Sequence, residues 1–244
     1  MKITIKLTQR LIPLLSIFIL FGCNEERQDT PTNVQSLVEE IDRIQGDGYF
    51  DTDELKLKRK YNELVMPYVV LDKDGLYKLD ITEEYYSKIE VPKEVIIEIK
   101  KEIESTNKII EQSKKEGVFI ETPNPKDPDV IKEISELRSY FDGDMNNPMI
   151  GDLIANGQER VTSGYIWVPV GYKSVTFKCQ SGAAMTPVFV CGVFTSGQWV
   201  HSSKVGLGGY AGMNIGLYTS NDKINLSFQT TDSNGGYARY FGRK

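Results

Sequence analysis

The apolar residues of this chain change their spacing halfway along it, and that change limits the possible folds more than any other feature. Up to about residue 142 they recur every three or four positions: Val34, Leu37, Val38, Ile41 and Ile44; then Val95, Ile96, Ile99, Ile103 and Ile110; then Val130, Ile131, Ile134, Leu137 and Phe141. From about residue 150 they alternate. Ile166, Val168 and Val170 interleave with Tyr165 and Trp167, Val175 and Phe177 flank Thr176, and Ile224, Leu226 and Phe228 flank Asn225 and Ser227. A period near 3.6 buries one stripe of a helix, whereas a period of 2 buries one face of a strand. The chain is therefore expected to be α+β, a mainly helical segment followed by an all-β domain, sandwich or barrel.

Local punctuation agrees with both patterns. Thr32 or Asn33 can cap the first helix, which Gly46 and Gly48 end, and Leu55 to Met66 reads as a second. Asp74-Gly75 between two apolar stretches predicts a hairpin within 68–81, and Thr82 then caps a short helix to Ile89. Pro92 opens a long helix reaching Gly117, and a last helix follows Asp127-Pro128-Asp129. Lys100 with Glu104, Glu104 with Lys108, and Glu111 with Lys115 lie four apart, as on a solvated helix surface.

Charge divides at the same place. Residues 24–149 carry 18 Lys+Arg against 30 Asp+Glu, a net of −12, and residues 150–244 carry 8 against 4, a net of +4. The stretch from Phe141 to Pro148 is rich in turn formers. We accordingly expect a mainly helical domain with a small hairpin over 34–142, a linker over 143–149 and a β-sandwich-like domain over 150–244. An acidic chain whose β half is only modestly positive is a poor partner for nucleic acid.

The first residues follow another logic. Lys2, Lys6 and Arg10 stand without an acidic residue before the apolar run Leu11 to Phe21. That run is short of the ~20 residues a membrane-spanning helix needs, and has the form of a signal peptide. It ends in Leu20-Phe21-Gly22-Cys23, which resembles the lipobox of bacterial lipoproteins. The resemblance implies that residues 1–22 are removed, that Cys23 carries lipid, and that 23–33 form a tether holding the chain to a membrane outside the cytoplasm. Asn24-Glu25-Glu26 resembles the surface-export signal described for Bacteroidota lipoproteins, which implies the outer membrane or cell surface. A multiply acylated cysteine anchors stably because each buried methylene adds about 0.8 kcal/mol.

In an exported chain the remaining pair, Cys179 and Cys191, is expected to form a disulfide across a hairpin centred on Met185, with two buried free thiols as the rival. A single histidine, His201, argues against a metal site, and no cofactor is expected. Gly206 to Ala211 matches G-x-G-x-x-A, but the β pattern continues through Met213 to Leu217, where a dinucleotide fingerprint needs a helix. Asp72-Lys-Asp74-Gly75 and Asp51-Thr-Asp53 lack the full spacing of a calcium loop. The β half offers only Asp152, Glu159, Asp222 and Asp232 as catalytic carboxylates, and no catalytic residue is assigned.

Three functions compete. The first is a binding or adhesion lipoprotein recognising glycan or protein through its β domain, where Tyr165, Trp167, Tyr172, Trp199, Tyr210, Tyr218, Tyr237 and Tyr240 supply flat faces with polar handles. Its expected ligand-binding residues are Trp199, Tyr237 and Arg239; in a strand Tyr237 and Arg239 share a face and Tyr240 takes the other. The second is an assembly lipoprotein acting through its acidic helical half, and the third a glycan hydrolase. Binding ranks first. Cys23→Ser is expected to abolish membrane attachment while leaving the body folded; a variant that still sediments with membranes after a high-salt wash would refute the lipid anchor.

Overall fold

The computed structural model describes residues 52–139, 147–217 and 223–244. Cys23, the tether, the helix expected over 34–44 and most of the expected linker lie outside those residues. Helix α1 (Asp53–Val65) starts where the Thr52 hydroxyl accepts the Leu55 N–H at 3.3 Å, with Asp53 and Glu54 in its first turn facing the positive end of the helix dipole. A single 3-10 turn leads to β1 (Val69–Leu71), which pairs antiparallel with β2 (Tyr77–Leu79). Between them Gly75 takes φ +72°, and the Asp72 carboxylate accepts the N–H groups of Asp74 and Leu76, so the expected hairpin forms on the expected residues.

Two further helices, α2 (Glu83–Lys88) and α3 (Lys93–Lys115), precede α4 (Pro128–Ser139). The buried residues of α3 are Ile96, Ile99, Ile103, Thr106 and Ile110, at steps of three and four. Among the described residues no helix is long and apolar enough to cross a membrane.

Eight strands follow: β3 (Ile150–Ala155), β4 (Val161–Trp167), β5 (Ser174–Ser181), β6 (Val188–Thr195), β7 (Gln198–Val205), β8 (Tyr210–Gly216), β9 (Lys223–Thr230) and β10 (Gly236–Arg243). They form two antiparallel sheets with strand orders β3-β10-β5-β8 and β4-β9-β6-β7. Every connection except the β6–β7 hairpin crosses from one sheet to the other. Eight strands so wound make a jelly roll, so of the two expected architectures the domain is a sandwich. Its core holds Val175, Phe177, Phe189, Val193, Ile224, Leu226 and Phe228, with Phe189 and Phe228 stacked at 5.9 Å. Strand β4 stops at Trp167, and Val170, expected to continue its inward pattern, lies beyond it and is exposed. Gly206 to Gly209 form the tight β7–β8 connection, with φ +60° at Gly208 and +88° at Gly209.

The hairpin expected around Met185 is corrected by this topology. Strands β5 and β6 belong to different sheets, so Cys179 and Cys191 meet across the core rather than across a hydrogen-bonded pair. They are free, fully buried thiols with sulfurs 3.6 Å apart, and burial pushes the Cys191 thiol up.

The change of architecture near residue 147 is not a gap in packing. A second apolar cluster joins Val65, Val69, Tyr77, Ile99, Ile103 and Ile110 of the helical half to Met185, Val188, Val205 and Leu207 of the β half. The β5–β6 loop is the join. Arg59 and Asn62 on α1 donate to the carbonyls of Gly182 and Ala183, each at 2.8 Å, and the Thr106 hydroxyl on α3 donates to Thr186 O at 2.7 Å. The Thr186 N–H donates in turn to Glu102 on α3 at 2.6 Å. Beyond α3, Glu121 lies parallel to β7: its N–H donates to Ser203 O and its carbonyl accepts the Val205 N–H. Lys204, buried beside it, makes ion pairs with Glu121 at 3.1 Å and with Glu133 of α4 at 3.0 Å.

Burial at this join raises the Glu102 carboxyl to about 7, opposed by the Thr186 N–H and assisted by the negative charge of Asp232. The folded chain holds that proton where the unfolded chain has released it, so this group's contribution to stability falls as pH rises from about 4.5 to about 7. Glu102→Gln keeps an acceptor for Thr186 and removes the titration. Calorimetry is expected to show the variant gaining a few degrees on the wild type between pH 5 and pH 8; an equal difference at both pH values would show that Glu102 does not titrate there.

Candidate functional site

Alternation sends every second side chain of β4, β9, β6 and β7 away from the sandwich core, and register decides which of them meet. Tyr165 on β4 stands opposite Asn225 on β9, Asn225 opposite Phe194 on β6, and Phe194 opposite Trp199 on β7. These four residues form one row across the sheet, three strand spacings of about 4.8 Å, or roughly 14 Å. Tyr165 is 66 % exposed and Trp199 36 %. Trp167, 65 % exposed, flanks the row, with the Lys223 ammonium 5.0 Å from its ring centre. A bulge at Ser163 and Gly164, where Gly164 takes φ +71°, resets the phase of β4 so that both Thr162 and Tyr165 face outward.

The neighbouring row runs Thr162, Ser227, Gly192 and His201. Its glycine leaves room that neighbouring side chains fill. A Cβ on Gly192 would lie 2.6 Å from His201 Cδ2 and 2.5 Å from Ser227 Oγ, so the imidazole rests directly on the bare backbone. In that position the ring stacks on Trp199 at 5.6 Å and 15°. The Arg160 guanidinium lies 5.6 Å from the Trp199 ring centre and meets Nε2 of His201. Arginine can only donate, so Nε2 accepts and the imidazole is neutral. Partial burial, and then the Arg160 charge, lower the His201 pKa below 6.5. Ser227 Oγ, buried beneath this group, has no hydrogen-bond partner among the described residues.

Toward the helical half the face becomes a groove of about 380 Å³. Ile109, Val118 and Ile120 line one side of it, Val190 and Gln229 the other, with Arg160 and His201 contributing polar lining. A second cavity of about 400 Å³ lies between α3 and the loops at 183–187 and 231–234, and it contains Glu102 and Asp232. Both carboxylates hold the fold together. Asp232 accepts from the Ser181 hydroxyl at 2.5 Å, from the N–H groups of Ala183 and Ala184 at 2.8 and 2.9 Å, and from Asn234 N at 2.8 Å.

Of the three expected ligand-binding residues, the structure places one on this face. Trp199 is here, but Tyr237 and Arg239 belong to β10 in the other sheet, so the three are not brought together. Tyr237 and Arg239 do share a face, and Tyr240 lies in the core behind them. Tyr237 is nevertheless only 8 % exposed, and its hydroxyl donates to Asp152 at 2.7 Å. Arg239 grips the same carboxylate with Nε at 2.8 Å and Nη2 at 3.2 Å. Burial works to raise the Asp152 carboxyl, and these two partners hold it below its ordinary value. Tyr172 and Tyr210 are buried, while Tyr218 and Asp222 lie outside the described residues.

Sequence reasoning passed over Arg160 and Gly192. Nothing local marks them, because their role comes from neighbours on other strands. Tyr165 and Trp167 were legible as outward partners of the inward Ile166, but not as members of a row with Trp199. Among the described residues no group of three or more His, Cys, Asp or Glu side chains is placed to hold a metal ion.

No protein-family model and no curated protein matches the chain. Several solved structures share limited similarity with it. One is TmCBM61 in complex with beta-1,4-galactotriose, at 11 % identity and a TM-score of 0.28, covering 38 % of this chain and 68 % of that one. Another is a de novo designed double-stranded beta-helix, at 10 % identity and a TM-score of 0.25, covering 38 % and 97 %. Likeness at these scores carries no functional weight.

The chain's single histidine makes the face easy to monitor. In an NMR titration the His201 imidazole is expected to titrate below 6.5, and both Gly192→Ala, which displaces the ring, and Arg160→Gln, which removes the adjacent charge, are expected to move it upward. A titration unchanged in both variants would show that the ring does not lie between Gly192 and Arg160.

Proposed function

We propose that this chain is a lipid-anchored extracytoplasmic binding protein that recognises glycan with the outer face of the β4-β9-β6-β7 sheet. One observation carries this reading: the rings of Tyr165, Phe194 and Trp199 share a row on a sheet face that the helical half leaves open at that end. A saccharide presents flat C–H faces edged by hydroxyl groups. Its recognition needs apolar ring area held rigidly beside hydrogen-bonding groups, and Tyr and Trp offer such area at low cost in side-chain entropy. Asn225 within the row, and Arg160 and His201 beside it, supply the polar groups, with Gln229 farther along β9 in the groove.

The face rests on a rigid scaffold, because the side chains behind the row, such as Val193, Ile224 and Leu226, are fully buried in the sandwich core. A lipid on Cys23 and the tether that follows would keep this face close to the cell surface, where extracellular polysaccharide is encountered.

Glycan-array and titration binding are expected to fall at least tenfold for Trp199→Ala and for Tyr165→Ala, a loss of about 1.4 kcal/mol or more each, with melting temperatures close to wild type. Full binding by the double variant would remove the row from the site. Capture of a protein ligand that both variants abolish, without any glycan bound, would reassign the face to protein recognition.

A further inference from the structure

We infer that the ligand of this face is an acidic saccharide, with its carboxylate or sulfate group on Arg160 while one of its sugar rings stacks on Trp199. The inference deepens the glycan reading and depends on it.

Charge on the sheet is one-sided. Strands β4, β6, β7 and β9 contain no aspartate or glutamate, although the chain as a whole carries a net charge of −5. The titratable groups on their outer face are Tyr165, His201 and Lys223, and Glu159 and Arg160 directly precede β4.

Two cations of the sandwich are already paired with carboxylates. Arg239 grips Asp152, and Lys204 is held between Glu121 and Glu133. Arg160 is exposed and, among the described residues, is paired with no carboxylate; its described contacts are the His201 nitrogen and the Trp199 ring. One of its five donors is used on Nε2. The guanidinium carbon lies 5.6 Å from the Trp199 ring centre and one of its nitrogens meets His201, and a planar guanidinium matches the two oxygens of a carboxylate or sulfate with parallel hydrogen bonds. The same indole is the aromatic platform for a sugar ring, so the anion site and the ring site adjoin.

Two matched pairs of polymers test this: polygalacturonate against its methyl ester, and dextran sulfate against dextran. Isothermal titration calorimetry with the full-length protein in detergent micelles is expected to show at least tenfold tighter binding to the charged member of one pair. Binding to polygalacturonate assigns a carboxylate, and binding to dextran sulfate assigns a sulfate. Arg160→Gln is expected to reduce that preference at least tenfold with an unchanged melting temperature, and Trp199→Ala to weaken binding to both members. Equal affinity for charged and neutral members, or a preference that survives in Arg160→Gln, would overturn the acidic assignment and leave the glycan reading in place. So would binding only to neutral glycans on the array. Failure to bind any of the four polymers or any glycan on the array would overturn both.

Discussion

The β5–β6 loop is the part of this molecule on which the rest leans. A loop that runs from one sheet to the other exposes backbone carbonyls and N–H groups at the end of the sandwich, and burying them unpaired would cost about 1 to 3 kcal/mol each. Here each partner comes from a different region: Arg59 and Asn62 from α1, Thr106 and Glu102 from α3, Asp232 from the β9–β10 loop. Met185, carried by the same loop, is completely buried in the helical cluster. Hydrogen bonding and apolar burial thus converge on a few residues, and they fix where α3 stands. The position of α3 in turn sets how much of the β4-β9-β6-β7 sheet is covered and where its open, aromatic end begins.

Much of this was legible in the sequence, and the limits of that legibility are physical. The stripe through Ile96, Ile99, Ile103 and Ile110 specified α3, Asp74-Gly75 specified the small hairpin, and alternation through Ile224, Leu226 and Phe228 specified β9. Each depends on contacts a few residues apart or on one face of one element. Strand order does not. Cys179 and Cys191 are only 12 positions apart, which favours a hairpin, but long-range pairing drew β5 to β10 and β8, and β6 to β9 and β7. A buried arginine without a partner is costly, which in the sequence alone favours Arg239 as a surface contact; its partner, Asp152, stands 87 positions away.

The candidate site has the same origin. Arg160 and Tyr165 come from one stretch of chain, Phe194 and Trp199 from the β6–β7 hairpin, and none is unusual alone. The jelly roll brings them onto one surface, the bulge at Gly164 aims Tyr165 outward, and the missing side chain of Gly192 lets His201 lie flat against Trp199. Aromatic area and positive charge on this face share the same few square nanometres because the sheet register put them there.

The strand-like contact of Glu121 with β7 bears on how this protein avoids its neighbours. A sandwich ends in strands whose outer backbone groups are ready to pair with any other chain, and natural proteins blunt such edges. On β7, Glu121 occupies those groups at Ser203 and Val205, and on β8 the Gly212 N–H is taken by Glu133 at 3.1 Å. Both caps come from the helical half. The helical half, beyond its share in the core, thus acts as a selvedge along one edge of each sheet, closing β7 and β8 to pairing with another chain.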